Sequence, residues 1–233
     1  MSTGDLDYVG YIRLAALHEA VQPLTPEHDA VTHGAEHLFI VTHQVAELWL
    51  KQVLLDVDRA ERALAERGLT RADEHLVRAS RVFEQVIGAT SVLTRLPPSD
   101  FARFRSLLGT ASGAQSPQFH ELGSRLGVRG KHSILYEHFE SVLAESSLSV
   151  ADLYRWGPSA GAVYQLAEHL VELAHGFWRW QSCHVETVRR VIGCSGGTGG
   201  TSGVDHLVKR MELPFPELWE VRGAAVRETA VRP

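Results

Sequence analysis

Apolar residues along the chain recur at intervals of three and four. No stretch alternates apolar and polar for long enough to make a strand. The spacing predicts a short amphipathic helix over residues 8–20, YVGYIRLAALHEA, stopped by the prolines of VQPLTPEHD. It predicts a long helix from about His33 to Gly68, in which Leu38, Val41, Val45, Leu48, Gln52 and Leu55 return at threes and fours. Gly68 ends that run, and Thr70 is placed to cap a helix from about Arg71 to Leu96. Pro97 and Pro98 break it, and Ser99 is placed to cap DFARFRSLLG, which stops at Gly109. TASGAQSPQ is irregular and LGVRGKH is a second glycine-rich joint. Helical spacing resumes over His132–Ser146 and across ADLYRWG. Ser159 then opens the longest run, about thirty residues or ~45 Å at the helical rise. A helix of that length needs a bundle around it. The tail reads as a helix, a proline-bounded turn and a short last helix. The pattern therefore predicts one all-α domain over residues 1–233, with no repeat and no linker long enough to divide it.

Composition narrows the function classes. A formal charge of -5 argues against a nucleic-acid surface. The opening residues lack the basic and apolar regions of a signal peptide, and no apolar run approaches a membrane span. Two cysteines, Cys183 and Cys194, make no disulfide framework. A cytoplasmic protein with reduced thiols is expected.

Thirteen histidines are many for this length, and most of them need no function. His18, His75, His120, His132, His138, His169 and His206 read as surface or satisfied core residues. His33 and His37 share a helix face, but no catalytic glutamate lies between them as in a zinc protease helix. Glu172 and His175, in ELAH, supply one Glu-x-x-His pair, and the second pair that a di-iron bundle needs is missing. His43 lies on an otherwise apolar helix face with Phe39 four residues before it and Glu47 four after. Glu47 is placed to orient it; the plain alternative is a buried, hydrogen-bonded histidine. His184 shares a face with Phe177, Trp180, Val188 and Val191. Such a wall fits a haem with His184 as axial ligand, and equally a core histidine among aromatics. The loop that follows carries six glycines within residues 193–203, interleaved with Ser and Thr. Glycines let backbone N–H groups approach a ligand closely. The loop lacks the lysine of a phosphate loop and follows a helix, so a nucleotide reading fails.

Several blocks are specific enough to carry a resemblance. HLFIVTHQVAELWLKQ, DFARFRSLLGTASGAQSPQF, HVETVRRVIGCSGGTGGTSGVDHL and FPELWEVR, with YVGYIRLAALHEAVQPL ahead of them, resemble the tryptophan 2,3-dioxygenase family in the same order. The resemblance is weak from about residue 124 to 175. It implies an all-helical haem b enzyme, a homotetramer built as a dimer of dimers. The family inserts both atoms of O2 across the indole C2–C3 bond of L-tryptophan to give N-formylkynurenine. His184 matches the iron ligand of that family, and Trp180 and Val188 share its haem-facing helix face. His43 matches the histidine facing the indole nitrogen, and Phe39 an aromatic packed on the substrate ring. Arg105 matches the carboxylate-binding arginine, Thr198 the threonine near the ammonium, and Ser112 a serine near the haem. Tyr8 and Tyr11 match tyrosines that reach a neighbouring subunit's pocket, so residues 1–22 are expected to pack on that neighbour.

The chain departs from the pattern at several points. Phe101 stands where the family has a carboxylate-binding tyrosine, which removes a hydrogen bond worth about 1.5–3 kcal/mol. Ala114 replaces a phenylalanine, Gly197 a basic residue, and the middle of the chain is shorter by several tens of residues. These departures point to a specialised relative acting on tryptophan or a substituted tryptophan. The alternative outcome is transfer of a single oxygen to give a 2-oxindole. A haem sensor without turnover is the competing class, and an amino-acid clamp at Arg105 argues against it.

Overall fold

The structure is a computed structural model that describes residues 7–230. It holds eleven α-helices and four short 3-10 turns, with no strand among the described residues. The N-terminal run is broken in two: α1 spans Tyr8–Tyr11 and α2 spans Leu14–Glu19. Arg13 between them sits at φ 55, in the left-handed region, which ends the first turn.

Two long helices follow. α3, Ala30–Ala65, has 36 residues and is about 54 Å long. The Asp29 side chain caps it by accepting from the Thr32 N–H. Arg67 at φ 62 and Gly68 turn the chain back, and the Gly68 N–H reaches the Ala63 carbonyl at 2.7 Å. α4, Leu69–Val92, begins directly at that turn with Gly68 in the capping position, so Thr70 lies inside the helix and caps nothing. α5, Pro98–Phe104, likewise starts on Pro98, and Ser99 lies within it. The segment 105–133 is more ordered than its composition suggests. Ser112 and Gln115 form a capping box on a short turn, and Pro117 opens α6, Pro117–Arg125, instead of closing a loop. α7, Ile134–Glu145, and α8, Val150–Trp156, come next. α9, Ala162–Ile192, starts after a 3-10 turn over Gly157–Ala160, three residues later than Ser159. α10, Val204–Val208, precedes α11, Pro216–Ala230, which is longer than the short helix expected.

The core lies where α3, α4 and α9 pack together, with α7 against α3. Leu50, Val53, Val57, Ala60 and Leu64 of α3 meet Leu76, Phe83 and Val86 of α4 and Leu166, Leu170 and Leu173 of α9. Gly176 lets α9 approach α4, since a Cβ there would lie 3.2 Å from the Phe83 ring. Asp56 is fully buried between α3 and α4, where Arg78, His75 and Gln52 donate to it and offset its desolvation. A smaller apolar cluster of Ala35, Leu93, Leu96, Phe101, Phe104 and Val191 fills one end.

The α3 stripe behaves differently from expectation. Its spacing predicted the helix correctly, but Val45, Leu48 and Leu55 point outward and Leu48 is 57% exposed. The buried face runs instead through Ala46, Leu50, Val53 and Val57. No helix among the described residues is long and apolar enough to cross a membrane.

Candidate functional site

α3 and α9 each carry a histidine into one cavity of about 900 Å³, at the large end of ordinary ligand sites. His43 comes from α3. Its Nδ1 lies 2.7 Å from the Phe39 carbonyl, which can only accept, so Nδ1 carries the proton and Nε2 is a bare acceptor. Its accessible surface opens onto the cavity. Burial pushes its pKa below the ordinary imidazole value, against the opposing pull of the Phe39 carbonyl and the Glu47 charge. Glu47 does not orient the ring as expected. Its carboxylate accepts from Gln118 of α6 instead, which ties α6 to α3 beside the site.

His184 comes from α9. Burial, and then the proximity of His43, push it down to about 4, so the imidazole is neutral over the physiological range. It makes no hydrogen bond to a described residue. The Trp180 ring stacks on it at 5.6 Å between centroids, and Phe119 stacks on Trp180 at 4.1 Å. Val188, one turn further on, lines the same cavity. Gln118 and Phe119 close the DFARFRSLLGTASGAQSPQF block, but spacing predicts no role for either, because it predicts no helix over α6.

The other end of the cavity is built by α5 and the glycine-rich loop. Phe101 is buried with Phe104 behind Phe39, their rings 5.3–5.8 Å apart, and presents no hydroxyl. Arg105 follows α5 directly and donates to the Gly196 carbonyl. Arg105 and Thr198 line both the main cavity and a smaller adjoining one of about 400 Å³. The loop closes on itself through the Gly197 N–H and the Thr201 carbonyl, 3.0 Å apart. Gly199 passes so close to Ser112 that a Cβ would lie 3.2 Å from the serine Cβ. Phe39, His43, Phe101, Arg105, Ser112, Trp180, His184, Val188 and Thr198 therefore surround one space. Tyr8 and Tyr11 do not join them; both are 74% exposed on α1.

The residues present fit a haem. A neutral imidazole without a partner projects into a mostly apolar cavity, which is the donor state an axial ligand requires. No group of three or more Asp, Glu, His or Cys side chains that could hold a metal ion occurs among the described residues. A haem iron needs only an axial ligand from the protein.

A cavity between two histidine-bearing helices, with an arginine and a glycine-rich loop at one end, defines a helical protein with a site for a ligand. Comparison with known proteins makes this particular. The profile of the tryptophan 2,3-dioxygenase family matches residues 1–150 and 143–224. A tryptophan 2,3-dioxygenase of Bradyrhizobium sp. (strain ORS 278) is 36% identical over 264 residues, covering 94% of this chain and 92% of that protein. One from Paraburkholderia phytofirmans (strain PsJN) is 32% identical over 262 residues, covering 93% and 84%. The chain belongs to the tryptophan 2,3-dioxygenase family of tryptophan-oxidising haem enzymes, and is an oxidoreductase of that type. The aligned span of 264 residues exceeds the whole chain of 233, so the Bradyrhizobium relative carries residues with no counterpart here. The two profile matches meet at residues 143–150, which places that shortening at the junction of α7 and α8.

Proposed function

We propose that the protein is a haem b-dependent oxygenase that uses O2 to open the indole ring of L-tryptophan, or of a substituted tryptophan, at C2–C3, giving N-formylkynurenine. The observation that carries this reading is the pairing of two neutral histidines across one cavity, with Arg105 and Thr198 at its end. His184, with Trp180, Val188 and Ser112 around it, would hold the haem, which when bound would supply O2 binding and activation. The protein's own residues do the rest. Arg105 offers a planar fork to the substrate carboxylate in place of its bond to Gly196. Thr198 takes the ammonium. Phe39 packs on the indole, and His43 accepts the indole N–H at Nε2, so the ring is fixed before reaction. Tyr8 and Tyr11 reach into a neighbouring subunit of a cytoplasmic homotetramer, a dimer of dimers. Each chain is one domain, and the N-terminal segment up to residue 22 packs on that neighbour; residues 1–6 and 231–233 of the 1–233 domain lie outside the described residues.

One observation favours a second outcome. Phe101 is buried among apolar rings and leaves the carboxylate with one fewer partner. A substrate whose carboxylate is held by Arg105 alone is freer to leave after one oxygen has been transferred; an external two-electron reductant then takes the second oxygen to water, and the product is a 2-oxindole. The test is anaerobic reduction of haem-loaded protein, then addition of L-tryptophan and O2, with the product weighed by mass spectrometry. A gain of two oxygen atoms supports ring cleavage, a gain of one supports the 2-oxindole, and no oxygenated product from tryptophan or its methylated analogues rejects both.

A further inference from the structure

Two adjacent residues of α6 touch both histidine-bearing helices. The Ser116 side chain caps α6 by accepting from the Phe119 N–H, and Pro117 takes the first helical position, which fixes where Gln118 and Phe119 project. The Phe119 ring stacks on Trp180 at 4.1 Å, one turn before His184 on α9. Gln118 reaches the other way, to α3. Its amide donates to the Glu47 backbone carbonyl at 2.9 Å and to the Glu47 carboxylate at 2.5 Å. A glutamine amide has two N–H donors, so both are spent on one residue. The carbonyl belongs to the α3 backbone and anchors the amide; the second N–H then sets where the carboxylate lies.

Glu47 has somewhere else to go. It lies four residues after His43 on the same helix face, where Cβ atoms are about 5–6 Å apart, and it lines the same cavity. Among the described residues its carboxylate has no partner besides Gln118. Its charge already draws the His43 pKa upward, against the larger effect of burial.

Other charges around His43 are absent or engaged. α4 lines the cavity with Thr90 and has no charged residue between Glu84 and Arg95. From α9 comes His184, which is neutral at physiological pH. Arg103 of α5 acts on Asp29 at the start of α3, and Arg105 is bound to the Gly196 carbonyl. On α6, Glu121 pairs with Arg125, and His120 lies 2.7 Å from the Ala114 carbonyl. α7 meets α3 towards its far end, where Glu145 pairs with Arg67. The segment ahead of α3 meets it at Gln44, just after the exposed His18 and Glu19.

We infer that Gln118 is a positioning residue: it holds the Glu47 carboxylate against α6 and off His43, which leaves Nε2 of His43 free to accept the indole N–H. Phe119 supports it by fixing α6 on Trp180. Without Gln118 the carboxylate turns back one helical turn to His43, which takes a proton from solvent and pairs with it. A doubly protonated imidazole has no lone pair left for the indole. The inference deepens the tryptophan reading above and rests on it.

The test compares haem-loaded, full-length wild type, Q118L, Q118L/E47Q and Q118N between pH 5 and 8. Tryptophan titrations give the acid limb of binding. Carbethoxylation by diethyl pyrocarbonate, with the His43 peptide followed by mass spectrometry, gives the midpoint of His43 protonation without substrate. Q118L should move both to higher pH by about one pH unit, as expected for a carboxylate brought beside an imidazole. Q118L/E47Q lacks that carboxylate and should return both to the wild-type position or below it. Damage to packing alone would not be repaired by the second substitution. Q118N carries its amide one methylene short and should lie between wild type and Q118L; it decides the question if Q118L does not fold. Unchanged midpoints, or a shift that E47Q leaves in place, overturn the positioning role and leave the tryptophan reading standing. Wild type that binds no tryptophan at any pH overturns that reading, and the carbethoxylation midpoints still decide whether Gln118 keeps Glu47 off His43.

Discussion

His43 is defined by one hydrogen bond. With Nδ1–H given to the Phe39 carbonyl, Nε2 can accept an indole N–H only while the ring is neutral. Its lowered pKa keeps it neutral at pH 7. Substrate affinity should therefore fall on acidification, with an apparent pKa below the ordinary ~6.5 of imidazole. Tryptophan titrations between pH 5 and 8 read this, and His43→Gln should lose the acid limb. Folding stability moves in the same sense. The unfolded chain takes up that proton first, so stability declines as pH falls from about 6.5 to the lowered folded value, and levels off below it. Arg105 gives a sharper division. Arg105→Leu should retain the Soret band of bound haem while tryptophan affinity drops by about tenfold to a hundredfold, the worth of a charged hydrogen bond. Unchanged tryptophan binding would remove the amino-acid clamp from the reading. The roles of His43, Arg105 and His184 were legible as candidates because each sits in a specific block of sequence. The pairing of Glu47 with Gln118 was not, because a helix-spacing argument knows only partners three or four residues away.

The glycine-rich loop after α9 works because its backbone goes where side chains cannot. Gly203 has φ 66, and a Cβ there would lie 2.5 Å from the Ser195 carbonyl. Gly200 has φ 73 but open space around it. Gly203→Ala should thus weaken tryptophan binding through loss of the loop's closure, and Gly200→Ala should do so much less, since it costs only backbone strain of about 1 kcal/mol. Isothermal titration of the two variants checks the order. In the core, Phe83→Ala should destabilise by about 3–5 kcal/mol in urea, because the ring is fully buried against α9 and Gly176 cannot fill the gap. Element existence was legible from periodicity in α3, α4, α7 and α9. Starts were less so: Thr70 and Ser99 lost their expected capping positions to a turn at Gly68 and to Pro98. α6 escaped notice because Pro117 looked like a stop, whereas proline at the first helical position is a start.

At the scale of the whole molecule, the outward face of α3 leaves apolar side chains uncovered. Val45, Leu48, Trp49 and Leu55 are exposed along one helix, and Tyr8, Val9 and Tyr11 are exposed on α1. The N-terminal segment is pinned to α3 through Ala20 with Gln44 and through Thr25 with Glu36, but α1 and α2 bury none of their own residues. The subunit contact proposed above would cover both. Leu48→Lys should shift the protein to a smaller species by light scattering. Deletion of residues 1–12 should lower tryptophan affinity as well as assembly, and unchanged kinetics after that deletion would reject a shared site.

By itself the sequence determined most of the helical segments, α6 excepted, and which side chains are candidates for chemistry, because both depend on residue type and on neighbours three or four positions away. It also carried the family, in blocks long enough to recognise. Only the tertiary structure decided which face of α3 is core and which is left outside, since both faces of that helix are apolar and only packing against α4 and α9 chooses between them. Only it set His43 and His184 into one cavity, because that pair is brought together by the packing of α9 with α3 across most of the chain's length and leaves no periodic trace in the sequence.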